Sequence, residues 1–252
     1  LVLAGFTASG FAGLGYEVVW MRLLTAVLGS TSAAIAAVLA AFMGGLALGS
    51  AAFGALVDRS RSPLRVFAGI ELGIAATGLL VPVLLAGLAP LYAWLQPAAA
   101  SPSSALAMLQ FLLSLAVLMM PTALMGGTLP ALTRAVVPPG RVARGVAALY
   151  AANTFGATAG AFSAGFILLP AIGMRATYVA AAINVLTAGA AWLVARREGL
   201  TRRVAIGTAS QPRAPLASLR PWLGRLVALT AAVSGFGALA AEVAWTRLLV
   251  FG

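Results

Sequence analysis

The chain consists of long apolar runs separated by short polar connections. A membrane crossing needs about 20 apolar residues to cover roughly 30 Å of hydrocarbon. Runs of this length predict seven helical spans, at residues 1–28, 31–57, 66–89, 104–126, 146–169, 175–195 and 224–250. The pattern therefore predicts an all-α polytopic membrane protein.

Positive charge is concentrated in every second connection between the predicted spans. Most of the sixteen basic residues, all of them Arg, follow the second, fourth and sixth spans, whereas the alternate connections hold Arg175 alone. Cytoplasmic loops of membrane proteins carry an excess of basic residues. We therefore expect an inner (plasma) membrane protein with a cytoplasmic N-terminus. The same rule explains the net charge of +11 without a nucleic-acid partner.

The composition excludes several classes of chemistry. Apolar residues make up 62% of the 252 residues and charged residues 8%, which leaves too little polar surface for a water-soluble domain. The chain has no Cys and no His, which excludes disulfides, thiolate metal sites and thiol or imidazole catalysis. We also predict no metal site and no cofactor. The sequence begins at Leu1 rather than Met and ends within an apolar run, so we expect a piece of a longer protein.

A sixteen-residue segment occurs twice. SGFAGLGYEVVWMRLL at 9–24 recurs as SGFGALAAEVAWTRLL at 234–249, with ten identities that include the Glu, the Trp and the Arg. Six predicted spans separate the copies, so both enter the membrane from the same side, as in the parallel halves of major facilitator transporters. We predict a six-helix bundle at 1–195, a basic cytoplasmic connector at 196–223, and the first helix of a second half at 224–252.

The connection after the second span supports this comparison. Gly45 followed by Gly54-Ala-Leu-Val-Asp58-Arg59-Ser-Arg61 resembles the motif that major facilitator proteins carry between their second and third helices. The motif implies that Gly54 lets two helices approach closely. It also implies that Asp58 pairs with Arg59, Arg61 or another cytoplasmic Arg.

Glycines and prolines inside the spans predict local geometry. Gly45-x-x-x-Gly49 and Gly156-x-x-x-Gly160 present helix faces without side chains, where a neighbouring helix can approach closely. Two prolines and two glycines fall within 121–130, where each weakens the helical hydrogen-bond ladder. We expect that segment to be kinked or unwound.

Five further segments point to a narrower group within the major-facilitator-like proteins. They are Tyr16-Glu-Val-Val-Trp-x-Arg22, Phe42-Met-Gly-Gly-Leu-Ala-Leu-Gly-Ser50, Leu124-Met-Gly-Gly-Thr-Leu-Pro130, Leu149-Tyr-Ala-Ala-Asn-Thr-Phe-Gly156 and Gly165-Phe-Ile-Leu-Leu-Pro170. In this order they resemble the membrane portion of bacterial proteins that fuse a major-facilitator-like region to a spermidine synthase domain. The resemblance implies an aminopropyltransferase-like domain outside this sequence, and we predict no catalytic residue within it.

Two acidic residues lie deep in predicted spans and are repeat partners. Glu17 with Trp20, and Glu242 with Trp245, occupy equivalent places in the two copies. An ionised carboxylate inside a bilayer must be paired or must face a cavity. The pairs are therefore either structural or a site for a cationic substrate. The Trp rings are either interface anchors or cation–π partners.

Other polar residues within the spans are candidates for structure or for a pathway. Glu71 lies near the cytoplasmic start of the third span, and we expect it to pair with an Arg of 59–65. Asn153 is our first uncharged candidate for substrate binding, with Gln110 and Asn184 as further ones. Interhelical hydrogen bonding is the alternative for each of them.

Three functions remain open from the sequence. The first is a membrane domain of a spermidine-synthase-like fusion that binds or transports a small cation such as a polyamine. The second is a catalytically silent anchor for the synthase domain. The third is an ordinary major facilitator transporter without an attached enzyme.

Overall fold

A computed structural model describes residues 2–99 and 103–204, with scattered positions between 229 and 244. The long helices are α1 (Val2–Leu28), α2 (Ser32–Asp58), α3 (Pro63–Ala99), α4 (Ser103–Val136), α5 (Val142–Ser163) and α6 (Ala176–Val204). Helix α5 continues through a π-helical turn, Ala164–Leu168, and a short α-helical segment, Leu169–Ile172. The chain divides into two units, Leu1–Gly199 and Leu200–Gly252. The predicted seventh span lies largely outside the described residues.

The helices have the length and the surface of membrane spans. Five segments are apolar enough to cross a bilayer, namely Val2–Leu28, Ser32–Asp58, Pro63–Pro97, Ser104–Val136 and Val142–Arg197. Trp94, Phe155 and Leu186 are each more than 70% exposed on the outside of the first unit. Large exposed apolar patches of this kind require lipid or a partner to cover them. Five segments rather than seven are found for two reasons: α5 and α6 form one 56-residue apolar stretch, and the predicted seventh span lies largely outside the described residues.

The 56-residue stretch folds back on itself at Gly173. Asn153 of α5 and Asn184 of α6 line the same cavity, although 31 residues of straight helix would separate them by about 46 Å. Gly173 has φ +61°, a left-handed value that favours glycine, and it is the first residue of a 3₁₀ turn, Gly173–Arg175. Helix α6 therefore runs antiparallel to α5.

The packing of α3 on α1 gives their relative direction. The rings of Phe6 and Phe67 meet edge to face with centroids 6.5 Å apart. Further along both helices, the ring of Tyr16 lies against Gly78, where an added Cβ would come within 3.0 Å of it. Residue numbers rise together on the two helices, so α1 and α3 are parallel.

Glycines hold α2 against α4. Gly45 lies against the side chain of Thr122, and Gly49 lies against the backbone carbonyl of Ala123. An added Cβ at either glycine would overlap these atoms. The close approach predicted from Gly45-x-x-x-Gly49 is confirmed, and the two helices run parallel.

A second glycine seam holds α5 against α1. Gly156 lies against the carbonyl of Thr7, and Gly160 lies against the carbonyl of Phe11. In return, Gly10 of α1 lies against the backbone of α5. The close approach predicted from Gly156-x-x-x-Gly160 is also confirmed, and α1 and α5 are parallel.

The prolines of α3 and α4 do not end their helices. The connection predicted between the third and fourth spans is helical up to Ala99. Helix α4 is continuous through 121–130, so the segment that we expected to be kinked or unwound is not unwound. The glycines of that segment serve close packing instead, because Gly126 lies against the carbonyl of Leu46. Thr122, the residue after Pro121, donates a 2.6 Å hydrogen bond from its Oγ1 to the Leu118 carbonyl one turn earlier in the helix.

The predicted ion pair at the end of α2 is present, with a partner from α4. Arg134 Nε lies 3.8 Å from Asp58 Oδ1, and the two side chains are 36% and 77% exposed. An exposed pair of this kind contributes about 0–1 kcal/mol. Arg59 and Arg61 are exposed and are not the partners of Asp58. The role expected of Gly54 is wrong, because an added Cβ there would meet nothing within 4 Å.

Candidate functional site

Glu71 is the centre of a buried polar cluster that joins three helices. Its side chain has 0% exposure. Ser9 Oγ of α1 donates a hydrogen bond to Oε1, and Asn184 Nδ2 of α6 donates one to Oε2, each at 2.5 Å. We call Glu71, Ser9 and Asn184 the Glu71 cluster.

The sequence of α3 explains why this carboxylate is buried. Phe67, Glu71, Ile74 and Gly78 follow each other at spacings of four, three and four residues, and the first three are buried while Gly78 lies against the Tyr16 ring. This spacing defines one face of a helix. The face lies against α1, so the carboxylate points into the bundle rather than toward lipid.

The prediction that Glu71 pairs with an Arg of the preceding segment is wrong. Its hydrogen-bond partners are Ser9 and Asn184. Arg65, which is six residues earlier, lies about 120° away around the helix and is exposed. Helix geometry therefore places the two charges on different faces of α3.

The Glu71 cluster supplies neutral donors to a charged acceptor. Placing an ionised side chain at the centre of a span costs about 2.5–3.5 kcal/mol on insertion scales. A hydrogen bond to a charged group returns about 1.5–3 kcal/mol, so the two that Glu71 accepts return about 3–6 kcal/mol together. The hydrogen bonds therefore offset the cost of burial, although neither described partner of Glu71 carries a positive charge. A cationic guest would supply the counter-charge that the described partners lack.

A cavity of about 110 Å³ lies beside the Glu71 cluster at the centre of the bundle. Every long helix contributes to its wall, which consists of Ser9, Gly10, Gly13, Leu14, Phe42, Leu46, Ile74, Met125, Thr128, Asn153 and Asn184. Ser9 and Asn184 both bind the carboxylate and line the cavity. A buried water needs about 10–15 Å³ of such space, so the cavity has room for a larger polar guest.

Asn184 presents an unused acceptor in this wall. Its side chain is 1% exposed, and its Oδ1 has no hydrogen-bond partner within the described part of the chain. A buried acceptor without a donor costs about 1–3 kcal/mol. A guest that carries N–H groups would remove this cost by donating to Oδ1.

The structure separates the substrate-binding residues predicted from the sequence. Asn153 lines the cavity, whereas Glu17 and Trp20 do not. Glu17 is half-buried and has an interaction of its own. Glu242 and Trp245 lie outside the described residues.

Trp20 packs inside the bundle. Its side chain is 1% exposed, and its ring stacks on Tyr16 with centroids 4.7 Å apart. The prediction of an interface anchor is therefore wrong for Trp20. The reason is that Trp20 shares the inward face of α1 with Tyr16, four residues earlier.

Sequence reasoning missed Ser9 and gave Asn184 only a minor place. A signal for Ser9 was available, because it opens the repeated segment and is one of the ten identities. Asn184 had no comparable signal. Its importance depends on the turn at Gly173, which brings α6 back beside α3.

Gln110, another candidate for a pathway, belongs to a second polar cluster. Its Nε2 donates to the Leu28 carbonyl at 2.9 Å and contacts Tyr92 Oη at 3.2 Å. Tyr92 also donates to the Leu28 carbonyl, at 3.0 Å. We call these three residues the Gln110 cluster; it links the end of α1 to α3 and α4.

In comparisons with protein-family models, curated proteins and solved structures, nothing matched this chain. The resemblance to the fused major-facilitator and spermidine synthase proteins therefore stays a prediction.

Proposed function

We propose that this chain is a transporter-like membrane domain that binds a small organic cation in its central cavity, with Glu71 as the counter-charge. One observation carries the proposal. A fully buried carboxylate, held by neutral donors, lies beside a cavity to which all six long helices contribute. An ionisable residue within a membrane bundle is a functional candidate for this reason.

The arrangement of the helices supports a facilitator-like half with six crossings. If α1, α2 and α3 are matched to α4, α5 and α6 in that order, the contact between α2 and α4 becomes the contact between α5 and α1. Each seam uses a Gly-x-x-x-Gly pair, at 45–49 in one and at 156–160 in the other. Inverted repeats of three helices have this relationship. We place the N-terminus and the arginine-rich connections in the cytoplasm.

The chemistry of the wall favours an ammonium guest. An ammonium group is donor-only, and the wall offers acceptors at Asn184 Oδ1, Thr128 and Asn153 beside the charge of Glu71. The resemblance to spermidine-synthase fusions suggests a polyamine. Protons compete for the carboxylate, so binding should weaken as the pH falls.

A structural anchor is the second candidate function, and one observation favours it. Both carboxylate oxygens of Glu71 already accept a hydrogen bond, so the cluster could serve only to hold α1, α3 and α6 together. In that case the domain would hold a synthase-like domain, encoded outside this sequence, at the membrane. The third function, an ordinary transporter without such a domain, differs from the proposed one only in the parts of the protein outside this sequence.

Flux measurements separate these functions. The full chain is reconstituted into vesicles, and uptake of labelled spermidine is compared between wild type and Glu71→Gln. Transport predicts uptake by the wild type and at least a tenfold loss in the variant. Equal flux in protein-free vesicles and in vesicles with wild-type protein would favour the anchor.

Orientation is tested by labelling. The chain has no Cys of its own, so a single Cys placed at Ser210 can be probed with an impermeant reagent. The proposed topology predicts protection from outside the cell and labelling after the membrane is opened. Labelling of intact cells would overturn it.

A further inference from the structure

Two arginines from different helices meet on one tryptophan. The guanidinium carbons of Arg65, in the first turns of α3, and of Arg196, on α6, both lie 5.6 Å from the centre of the Trp192 ring. Trp192 and Arg196 are four residues apart on α6, so they share a face. The Trp192 side chain is 42% exposed, so the group lies on the outside of the bundle.

This geometry brings two positive charges together without a described carboxylate partner. The guanidinium carbons are no more than about twice 5.6 Å apart. The ion pair found among the described side chains joins Arg134 to Asp58 and involves neither of these arginines. Contact with an aromatic face leaves the N–H edges of a guanidinium available, and those edges bind carboxylates and phosphates. Each of the two guanidinium groups therefore keeps N–H edges that can bind an anion.

An apolar crevice lies at the same end of the bundle. Its wall includes Val2, Leu64, Phe67, Ala191 and Val194. Leu64 is the neighbour of Arg65 in sequence, and Ala191 is the neighbour of Trp192. An anion bound here would lie at the same end of the bundle as this apolar crevice. A free phosphate would contact only the two arginines, whereas an amphiphile would contact the arginines and the apolar surface.

We propose that Arg65, Trp192 and Arg196 bind the phosphate of an anionic phospholipid, with its acyl chain along the adjoining apolar surface. Basic groups between helices at the cytoplasmic side are suited to such headgroups. The inference is independent of cation binding, because Glu71 lies on another face of α3. Phosphatidylglycerol, which carries one net negative charge, is the probe that matches two cations and a mixed apolar and aromatic surface.

Lipid retention by the purified full chain tests this proposal. The protein is exchanged from detergent into mixed micelles of phosphatidylglycerol and phosphatidylcholine, and bound lipid is counted by native mass spectrometry. We expect the wild type to retain phosphatidylglycerol preferentially. Arg65→Gln and Arg196→Gln should each reduce the preference about fivefold, and the double variant should abolish it. Trp192→Leu, which keeps both charges, should also reduce the preference, because it removes the aromatic ring that both guanidinium groups contact.

Controls distinguish a lipid site from a general effect of charge and from a simple anion site. Arg175→Gln removes one positive charge at the opposite end of α6 and should keep the preference. Millimolar inorganic phosphate should not displace the lipid, and equal competition by phosphate would replace the lipid site with a simple anion site. An unchanged preference in the double variant would overturn the proposal. If that variant does not fold, the single variants and a salt titration of the wild type give the answer, since a charge-based preference must weaken with salt.

Discussion

The Glu71 cluster and the Gln110 cluster are alike in architecture and differ in charge. Each is buried, and each links α1 to two other helices through hydrogen bonds. The central side chain of each is nearly inaccessible, at 0% for Glu71 and 2% for Gln110. Glutamate and glutamine have almost the same shape, so the two central side chains differ mainly in charge.

This difference is the basis for our proposal that the Glu71 cluster serves binding and the Gln110 cluster serves structure. Gln110 and Tyr92 satisfy the Leu28 carbonyl at the end of α1, just before Gly29 turns the chain at φ +96°. That is a neutral cap on a helix end, where unpaired carbonyls need donors. The Glu71 cluster instead contains a charge without a described cationic partner, beside a polar cavity. A purely structural link would not require the charge.

The largest contrast in stability is expected when the central side chain of each cluster is changed into that of the other. Gln110→Glu removes a donor and places a carboxylate against the Leu28 carbonyl, so we expect a loss of about 3 kcal/mol or more in unfolding free energy. Glu71→Gln removes a buried charge and should cost less than about 1 kcal/mol, because Asn184 Oδ1 can accept from the new amide. Denaturation of both variants in detergent measures the difference. Similar losses in both would remove the distinction between the clusters.

Removing one partner from each cluster should give an intermediate effect. Gln110→Leu deletes two hydrogen bonds and should cost about 1–2 kcal/mol while leaving spermidine affinity unchanged. Asn184→Leu should cost a similar amount and also weaken spermidine binding, because Asn184 lines the cavity. Parallel stability and calorimetric binding measurements test the pair. Normal spermidine affinity in Asn184→Leu would count against the cavity as the site.

Two tyrosines provide the smallest contrast. Tyr92 donates its hydroxyl to Leu28, whereas the Tyr16 hydroxyl is buried with no hydrogen-bond partner within the described residues. Tyr92→Phe should lower the unfolding free energy by about 0.6–1.5 kcal/mol. Tyr16→Phe should leave it unchanged or raise it by up to about 1 kcal/mol, because the substitution removes a buried hydroxyl that has no described partner. A loss of stability in Tyr16→Phe would mean that its hydroxyl has a partner in the membrane.

The sequence predicted the helices and their close contacts better than it predicted the site. Apolar runs and Gly-x-x-x-Gly pairs act locally, so the long apolar helices and both glycine seams could be predicted from spacing alone. The choice of Glu17 as the substrate carboxylate relied on the repeat. The structure gives that carboxylate a half-buried place away from the cavity wall.

The environment of Glu71 could not be predicted from local pattern. Its partners lie 62 residues before it and 113 residues after it in the chain. The nearby arginines suggested an ion pair, but the helical rotation between Arg65 and Glu71 prevents it. Long-range contacts of this kind depend on how α1, α3 and α6 meet, and a single sequence carries little information about that.

Side-by-side affinities of two glutamine variants test the central claim most directly. Spermidine binding to the purified protein is measured by calorimetry for wild type, Glu71→Gln and Glu17→Gln at one pH and one salt concentration. Both substitutions remove one acidic charge from a span, so they are matched in charge and shape. We predict at least a tenfold loss of affinity for Glu71→Gln and less than a threefold change for Glu17→Gln. Unchanged affinity in Glu71→Gln, or no measurable binding by the wild type, would contradict the assignment of Glu71 as the cation-binding carboxylate.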